Sequence, residues 1–336
     1  MASDPHILWL AECTSDREPW VGGKASGLGA LLRAGLQVPP GFAITTSAYR
    51  EHVAHNRLAG ELERLLADCQ TFAAQQRGAE EIRGLFEASR PTPALADAIL
   101  AAYAELGAGR SPEPLPVAVR SSATGEDSAT ASFAGQQDTY LWILGGDEVL
   151  RHVVRCWASL FSAQAIAYRQ QLHTPVDDLA MGVVVQRMVP SEAAGVMLTL
   201  DPITGDRSGI FIEAAFGLGA AVVNGEVDPD RFVIGKEPLT IRSRTIGVKS
   251  VAYRFDPAAQ GTRREEIQAH LQAQPCMSDA EVLQIATLGK RMEHAMGRPQ
   301  DIEWAIGPGV DGQRQVYLLQ ARPETVWSQK SSPLRA

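Results

Sequence analysis

The chain has 336 residues, of which 45% are hydrophobic and 21% charged, and its net charge is -8. This composition is ordinary for a globular protein long enough for two cores, and its acidity argues against nucleic acid or an anionic membrane as the main partner. Neither a signal peptide nor a membrane-spanning segment can be recognised, so we expect a cytoplasmic protein. The four cysteines show no CxxC pairing and are expected to be reduced, structural thiols.

The N-terminal region predicts a short strand, a glycine-containing turn and a helix. The strand is expected over Ile7 to Leu10, and the turn contains Gly22, Gly23 and Lys24. Glycines allow the backbone to approach a ligand closely, and a lysine at a helix start suits a phosphate group. The spacing is not that of a Walker A motif, so a solvated lysine remains an open alternative from the residues alone.

Two further regions have helical patterns. Thr46 to about Leu106 is rich in alanine, glutamate and periodic leucine, and Val149 to Gln171 carries a wide apolar stripe that predicts one long amphipathic helix. His52 and His55 fall in the first region. We interpret them as surface residues rather than metal ligands, because no carboxylate or cysteine pattern accompanies them.

Between these helical regions lies a loop of unusual composition, Val117 to Thr139. A short apolar strand ending at Arg120 leads into small residues, hydroxyls and glycines, which have neither helical nor strand periodicity. Such a loop offers backbone N–H groups and hydroxyls to phosphate oxygens, and the arginine adds a planar, permanently charged fork. A flexible surface loop is the alternative that composition leaves open.

The second half of the chain predicts mostly strands and one well-marked helix. Met181 to Val189 is a buried strand with Gln186 near its end, and β-rich stretches follow at Ala194 to Asp206 and Gly209 to Gly225. Ser278 to Gly297 is predicted as a helix, since it opens with a capping box and ends at a glycine.

The last unit predicts a hairpin of Asp301 to Ala305 with Val316 to Pro323. Strand alternation puts Asp301 and Glu303 on one face, and it does the same for Gln320 and Arg322. If the strands pair in that register, the shared face suits Mg²⁺ with phosphate oxygens. A solvated polar face with cross-strand ion pairing is the alternative.

Several motifs together closely resemble the N-terminal ATP-grasp domain of the pyruvate phosphate dikinase, phosphoenolpyruvate synthase and rifampin phosphotransferase family. In chain order the matching segments are VGGKASGLG, VPPGFAITTSAY, VRSSATGEDSATASFAGQQDT, VNGEVDPDRFVI, DIEWA and LLQARPET. The resemblance covers nearly the whole chain. It implies an α+β ATP-grasp fold of two lobes with ATP and Mg²⁺ held between them.

The resemblance also assigns roles to individual residues. Lys24 and Arg120 would bind and polarise the ATP phosphates, with Gly135 and Thr139 holding the phosphate loop, and Gln186 would lie near the nucleotide. Glu303 and Gln320 would be the Mg²⁺ ligands, Asp301 an additional or supporting ligand, and Arg322 a phosphate contact that stabilises developing charge. Lys24, Arg120 and Arg322 are therefore the expected catalytic residues.

For the domain organisation, we predict an N-terminal lobe over 1–189 with the phosphate loop at 117–139, a C-terminal lobe over 190–327 with the metal-binding hairpin at 301–323, and a polar tail over 328–336. The family transfers the β-phosphoryl group of ATP, giving AMP and phosphate, to a histidine on a separate domain. None of the seven histidines here stands in such a motif. The chain is therefore expected to be an excised domain or a natural subunit, as in phenylphosphate synthase, whose partner carries that histidine.

The final acceptor implied by the family is a small molecule such as pyruvate, a phenol or an antibiotic hydroxyl, bound elsewhere.

The sequence departs from the family pattern at Ala220, which stands where relatives usually have glutamate after Gly219. Two alternatives remain at this stage. One is a stand-alone ATP-grasp ligase that forms ADP through an acyl phosphate, and the other is a nucleotide-binding regulatory subunit without catalysis.

Overall fold

The computed structural model describes residues 5–109, 114–124, 127–128, 131–132, 138–172, 179–256, 258, 261–309 and 311–327. The chain divides into two compact units. Unit 1 comprises Met1–Gly29 and Pro40–Met188, and unit 2 comprises Ala30–Pro39 and Val189–Ala336. Both units combine helices with antiparallel sheets, which confirms the predicted α+β class. Among the residues described, no helix is long and apolar enough to cross a membrane.

Unit 1 is built on a five-stranded antiparallel sheet in the order β1-β2-β7-β3-β6. Its strands are β1 (Ile7–Trp9), β2 (Gly41–Ile44), β3 (Val117–Ala123), β6 (Thr139–Ile143) and β7 (Met181–Arg187), and the short pair β4 (Asp127–Ser128) and β5 (Ala131–Ser132) lies between β3 and β6 in the chain. The helices begin with α1 (Glu18–Arg33), and continue with α2 (Thr46–His55), α3 (Ala59–Ala67), α4 (Phe72–Ala88), α5 (Pro93–Gly107), α6 (Gly146–Ala158) and α7 (Ala163–Leu172).

The two faces of this sheet differ in chemistry. Strand alternation puts the large apolar side chains of β2, β3 and β7 on one face, where Phe42, Val185 and Val119 lie opposite one another across three strands. This face packs into a core with helices α2 to α6, including Phe86 and Trp157. The other face carries small and polar residues, and it contains the predicted phosphate-binding arginine.

The region 149–171 is not the single helix that its apolar stripe predicted. Helix α6 ends at Ala158, a 3₁₀ turn follows over Ser159–Phe161, and α7 begins at Ala163. Two serines explain the break. The Ser159 hydroxyl donates to the Cys156 carbonyl (2.7 Å), and the extended Ser162 accepts from the Ala165 N–H with its Oγ (3.2 Å). Short hydroxyl side chains compete in this way with the helical hydrogen-bond ladder.

The prediction that His52 is a surface residue is wrong, although His55 is exposed. His52 is fully buried in the helical layer, where its Nε2 is hydrogen-bonded to Ser89 Oγ (2.7 Å) and its ring lies against Trp157. Burial, with a smaller contribution from His55, lowers the pKa of His52 to about 4. It is therefore a neutral core residue at physiological pH.

Unit 2 contains a six-stranded antiparallel sheet in the order β11-β10-β9-β8-β14-β15. The strands are β8 (Ala193–Leu198), β9 (Gly209–Phe216), β10 (Asp230–Lys236), β11 (Leu239–Thr245), β14 (Gln300–Pro308) and β15 (Arg314–Pro323). A separate hairpin joins β12 (Val251–Asp256) to β13 (Gly261–Glu266), and the helices are α8 (Ala220–Val223), α9 (Ala269–Gln272) and α10 (Asp279–Met296).

Helix α10 covers one face of the six-stranded sheet. Its Gly289 lies so close to the side chain of Met197 on β8 that an added Cβ would be 2.6 Å from the sulfur. The predicted capping box is present, with Ser278 Oγ accepting from the Glu281 N–H and Glu281 accepting from the Ser278 N–H. Gly297 ends the helix in the left-handed conformation, which glycine adopts readily, and the helix thus ends where the sequence predicted.

Residues Ala30–Pro39 belong to unit 2, although the stretches on both sides belong to unit 1. The sequence predicted a single boundary between the units near residue 189, without this additional segment. Backbone pairing explains why the segment belongs to unit 2, because the Leu318 N–H of β15 donates to the Gln37 carbonyl (2.9 Å). The Arg291 guanidinium of α10 also donates to the Ala34 carbonyl (3.0 Å).

A fully buried ion pair, Lys249 with Asp230, lies inside unit 2. The Asp230 carboxylate also accepts from the backbone N–H groups of Gly247 (3.2 Å) and Cys276 (2.9 Å), and the Lys249 ammonium donates to the Gly247 carbonyl (2.9 Å). The pair therefore joins the start of β10 to two irregular segments, those of Gly247 and Cys276.

Candidate functional site

The residues predicted to bind ATP and Mg²⁺ fall into two sets, one in each unit. The first set is Lys24, Arg120, Thr139 and Gln186, and the second is Glu303, Gln320 and Arg322, with Asp301 beside them. Gly135 lies outside the described residues.

The unit 1 set lies on the small, polar face of the five-stranded sheet. Arg120 on β3 is opposite Thr139 on β6 and Val184 on β7, and Gln186 is two residues along β7 on the same face. Arg120 is 8% exposed and Gln186 is 3% exposed. Adjacent strands are about 4.8 Å apart, so the guanidinium and the amide occupy neighbouring positions on one surface.

The turn that precedes Lys24 lies against β3 through a close backbone contact. Helix α1 is interrupted at Gly22, which has φ 78° and ψ 168°, so Lys24 lies at the start of a second helical stretch. A Cβ on Gly22 would lie 2.0 Å from the Ser122 carbonyl oxygen on β3, and the Ala25 N–H donates to Ser122 Oγ (3.2 Å). The Gly22 turn is thus fixed against the strand that carries Arg120.

Replacing Gly22 by alanine is expected to destabilise unit 1 by about 2–4 kcal/mol, because the residue would combine a left-handed φ with overlap of a backbone oxygen. The same change should weaken nucleotide binding by displacing Lys24. Chemical denaturation and calorimetric titration with Mg·ATP measure the two effects. Gly60→Ala is the matched control, since Gly60 lies in α3 with open space around its Cα. Equal stability of both variants would contradict the close contact at Gly22.

The two ends of the predicted phosphate loop are held together at the sheet. The Asp138 carbonyl accepts from both the backbone N–H (3.2 Å) and the hydroxyl (3.1 Å) of Ser121. The chain therefore leaves β3 and returns to β6 at neighbouring positions. Asp138 also accepts from the Tyr140 hydroxyl (2.6 Å), and burial, followed by that carboxylate, raises the pKa of Tyr140.

The unit 2 set lies on the hairpin of β14 and β15, whose predicted register is confirmed. Asp301 is opposite Arg322 and Glu303 is opposite Gln320, and a bulge follows Glu303. The side chains of β14 alternate, so Ile302 and Trp304 are fully buried whereas Asp301 and Glu303 are half-buried on the opposite face. Helix α10 covers the face of Met197, which pairs with Ile302, and the polar set lies on the other face.

Charged side chains are concentrated on this face. Arg322 donates from Nε (2.9 Å) and Nη2 (2.7 Å) to one oxygen of Asp301. Burial raises the pKa of Asp301 and outweighs the lowering by Arg322, while the nearby charges of Glu303 and Glu324 raise it further. An added cation would relieve this repulsion.

The oxygen donors of Glu303 and Gln320 fit a Mg²⁺ ion that is shared with a nucleotide. Mg²⁺ commonly takes one or two carboxylates and completes its octahedral shell with water and phosphate oxygens. Glu303 and the Gln320 amide oxygen are oxygen donors from opposed positions of one hairpin. No group of three His, Cys, Asp or Glu side chains suited to a metal occurs in the part of the chain that the structure describes, so a closed, all-protein metal site is not found there.

Strand pairing extends the polar face beyond the predicted residues. Glu213 on β9 and Arg231 on β10 continue the row of Glu303 and Gln320, with Val196 of β8 between Glu213 and Glu303. Arg231 donates from Nε to Glu213 (2.9 Å). The sequence analysis missed this pair, although Glu213 is the one charged residue in the otherwise apolar β9 strand.

Ala220, the departure noted in the sequence, is the first residue of the short helix α8. The preceding Gly217 packs against the Tyr253 backbone, and the Leu218 N–H donates to the Tyr253 carbonyl (2.9 Å). The alanine methyl is half-buried and brings no carboxylate to this turn.

Comparisons with known proteins give a consistent result. The family model for the pyruvate phosphate dikinase AMP/ATP-binding domain matches residues 18–334. Phosphoenolpyruvate synthase of Aeropyrum pernix is 40% identical over 98% of this chain and 43% of that protein. Rifampicin phosphotransferase of Streptomyces sviceus is 42% identical over 96% of this chain and 36% of that protein. The chain therefore spans less than half the length of these relatives.

Among solved structures, D-alanyl-alanine synthetase A of Vibrio cholerae matches with a TM-score of 0.29 and 12% identity. The match covers 69% of this chain and 46% of that one. This TM-score is too low to establish a shared fold.

Proposed function

The chain belongs to the family of pyruvate phosphate dikinase AMP/ATP-binding domains, and from this premise we propose that it binds Mg·ATP in an ATP-grasp fold and presents the β-phosphoryl group to a histidine outside the described chain. The observation that supports this most directly is the confirmed hairpin register, which gathers Asp301, Glu303, Gln320 and Arg322 on one sheet face. The product nucleotide would be AMP.

Lys24 and Arg120 would hold the phosphates, with Gly135 and Thr139 keeping the loop in place. Lys24 begins a helical stretch and Arg120 is a buried guanidinium, so each presents a fixed positive charge to phosphate oxygens. Arg322 would stabilise the charge that develops as the β-phosphorus is attacked. The nearly buried Gln186 amide can both donate to and accept from an adenine edge.

Glu303 and Gln320 would hold Mg²⁺, with Asp301 as an additional or supporting ligand. When bound, the ion would neutralise charge on the phosphate oxygens. The residues of the chain itself orient the nucleotide: Asp301 keeps the Arg322 guanidinium in place through two hydrogen bonds to one oxygen. Catalysis of this kind depends on positioning and charge neutralisation and requires no covalent nucleophile in this chain.

The histidine would attack the β-phosphorus, and the bond from that phosphorus to the oxygen retained by AMP would break. Water would then remove the γ-phosphate as inorganic phosphate, leaving phosphohistidine. The partner is thus a histidine-bearing domain or subunit. The final acceptor is a small molecule, and pyruvate, a phenol or an antibiotic hydroxyl are the candidate classes, selected by a part that lies outside this sequence.

Product analysis tests this function. The chain is incubated with Mg·ATP and the separately produced histidine-bearing domain of a relative, and nucleotides are separated by chromatography. We expect AMP and phosphohistidine only when both proteins are present. ADP as the product, formed with a carboxylic acid, would instead indicate a ligase. Tight Mg·ATP binding without formation of AMP or ADP would favour a regulatory subunit. Ala220 supports that hypothesis to some extent.

A further inference from the structure

A cleft of about 550 Å³ lies in the helical layer of unit 1. It is formed by the C-terminal end of α4, the segment that leads into α5, and one side of α6. Its volume is within the range of small-molecule sites, which is about 300–1,000 Å³. Helix α6 packs on the apolar face of the five-stranded sheet, through Val149, Val153 and Trp157. Arg120 and Gln186 lie on the opposite face, so the cleft is separate from the proposed nucleotide residues.

Three arginines line this cleft: Arg90, Arg151 and Arg155. Arg151 and Arg155 are one turn apart on α6 and therefore point to the same side of the helix. Arg90 comes from the segment after α4. Two carboxylates, Glu87 and Asp147, also line the cleft. Arg151 is also paired with Glu148, so three arginines and three carboxylates balance around the cleft.

The guanidinium groups are oriented by contacts that use only part of each fork. Arg155 donates from Nε to Glu87 (3.0 Å), and Arg90 donates from Nη1 to the carbonyls of Ser89 (2.9 Å) and Glu87 (3.1 Å). Arg151 donates from Nη1 to Glu148. A guanidinium has five N–H donors, so each arginine keeps donors beyond these contacts for a planar oxyanion.

The floor of the cleft is apolar. Val154 is buried and Leu150 half-buried, and both line the cavity. The one hydroxyl among the lining residues, that of Ser89, donates to the Phe86 carbonyl (2.6 Å) and is bonded to His52 (2.7 Å). It is therefore already occupied. Arginine forks above an apolar floor suit a ligand with an oxyanion at one end and a hydrocarbon body at the other.

We propose that this cleft binds a small organic anion, a phosphate ester or carboxylate on an apolar frame. The oxyanion pairs with the forks of Arg151 and Arg155, and the frame lies over Leu150 and Val154. Arg90 closes the opposite side. This site is independent of the nucleotide residues and of the phosphoryl transfer proposed above.

Calorimetric titration with phenyl phosphate, benzoate and inorganic phosphate tests the site. Phenyl phosphate is expected to bind more tightly than inorganic phosphate, because only the former contacts the apolar floor. The double variant Arg151→Gln/Arg155→Gln should bind phenyl phosphate about tenfold more weakly, since two charge-assisted hydrogen-bonding groups are lost. Saturating Mg·ATP should leave the wild-type affinity unchanged.

Arg64→Gln is the matched control, because Arg64 is a similarly exposed helical arginine paired with a carboxylate three residues away, outside the cleft. Arg151→Lys keeps the charge and loses the fork, and we expect an intermediate loss of affinity from a variant that folds normally. The proposal is overturned if none of the three anions binds saturably, or if the double variant binds as wild type. Competition by Mg·ATP would assign the binding to the nucleotide residues instead. Saturable binding of a polyglutamate peptide alone would assign the cleft to an acidic protein segment.

Discussion

Replacing Glu303 by glutamine is expected to lower Mg·ATP-dependent AMP formation by about 100-fold or more. Loss of a carboxylate that holds the metal removes several kcal/mol of charge stabilisation, and each 1.36 kcal/mol is worth about tenfold in rate. Magnesium affinity for the nucleotide complex should fall with it. Measurement of AMP formation as a function of Mg²⁺ concentration, with a histidine-bearing partner domain present, distinguishes weaker metal binding from a slower step.

The stability of the same variant should behave differently from its activity. Glutamine keeps the shape of the side chain, and the charge of Glu303 is one of the factors that raise the pKa of the half-buried Asp301. Removing that repulsion should leave the free energy of unfolding within about 1 kcal/mol of wild type. Glu265→Gln, at a half-buried, ion-paired glutamate on β13, is the activity control. Equal loss of activity in both variants, or none in either, would remove Glu303 from the proposed metal site.

Replacing Lys249 by methionine is expected to destabilise unit 2 by about 3–5 kcal/mol, because it would leave the Asp230 carboxylate buried without its counter-ion. The two backbone N–H groups that bond to Asp230 compensate for only part of the charge. Denaturant unfolding, followed by tryptophan fluorescence to which the buried Trp304 of this unit contributes, measures the effect. The denaturant concentration at the unfolding midpoint should fall, with little change in the dependence of the free energy of unfolding on denaturant.

Lys290→Met provides the comparison, since Lys290 pairs with the largely exposed Glu237. Exposed pairs contribute about 0–1 kcal/mol, so this variant should be close to wild type. Asp230→Asn should be at least as harmful as Lys249→Met, because it leaves the ammonium buried and weakens the bonds to Gly247 and Cys276. A loss below about 1 kcal/mol in both Lys249→Met and Asp230→Asn would show that the pair is not a stabilising element.

The hairpin shows why much of unit 2 could be predicted from the sequence. The two-residue periodicity of strands requires only local information, so Asp301 and Glu303 had to share a face, and the turn composition favoured pairing with the segment of Gln320 and Arg322. The helix at Ser278 was predictable for the same reason, because a capping box satisfies the orphan N–H groups within three residues.

Other features depend on contacts distant in sequence and were missed. The burial of His52 arises from Ser89, which follows α4, and from Trp157 of α6. The pairing of Arg231 with Glu213 depends on the order of the strands in the sheet. The break at Ser159 is local, but the apolar stripe continues through it, so periodicity alone gave no sign of the two serine contacts.

The assignment of Ala30–Pro39 to unit 2 has a consequence for how this protein can be divided. The backbone passes from one unit to the other three times, so no single cut releases either unit intact. A fragment ending at Met188 would carry these ten residues without β15, and the remainder would lack the Gln37 carbonyl that accepts from Leu318. Gene fission or domain shuffling at that point would yield two damaged pieces, and the two units must therefore be inherited and transplanted as one.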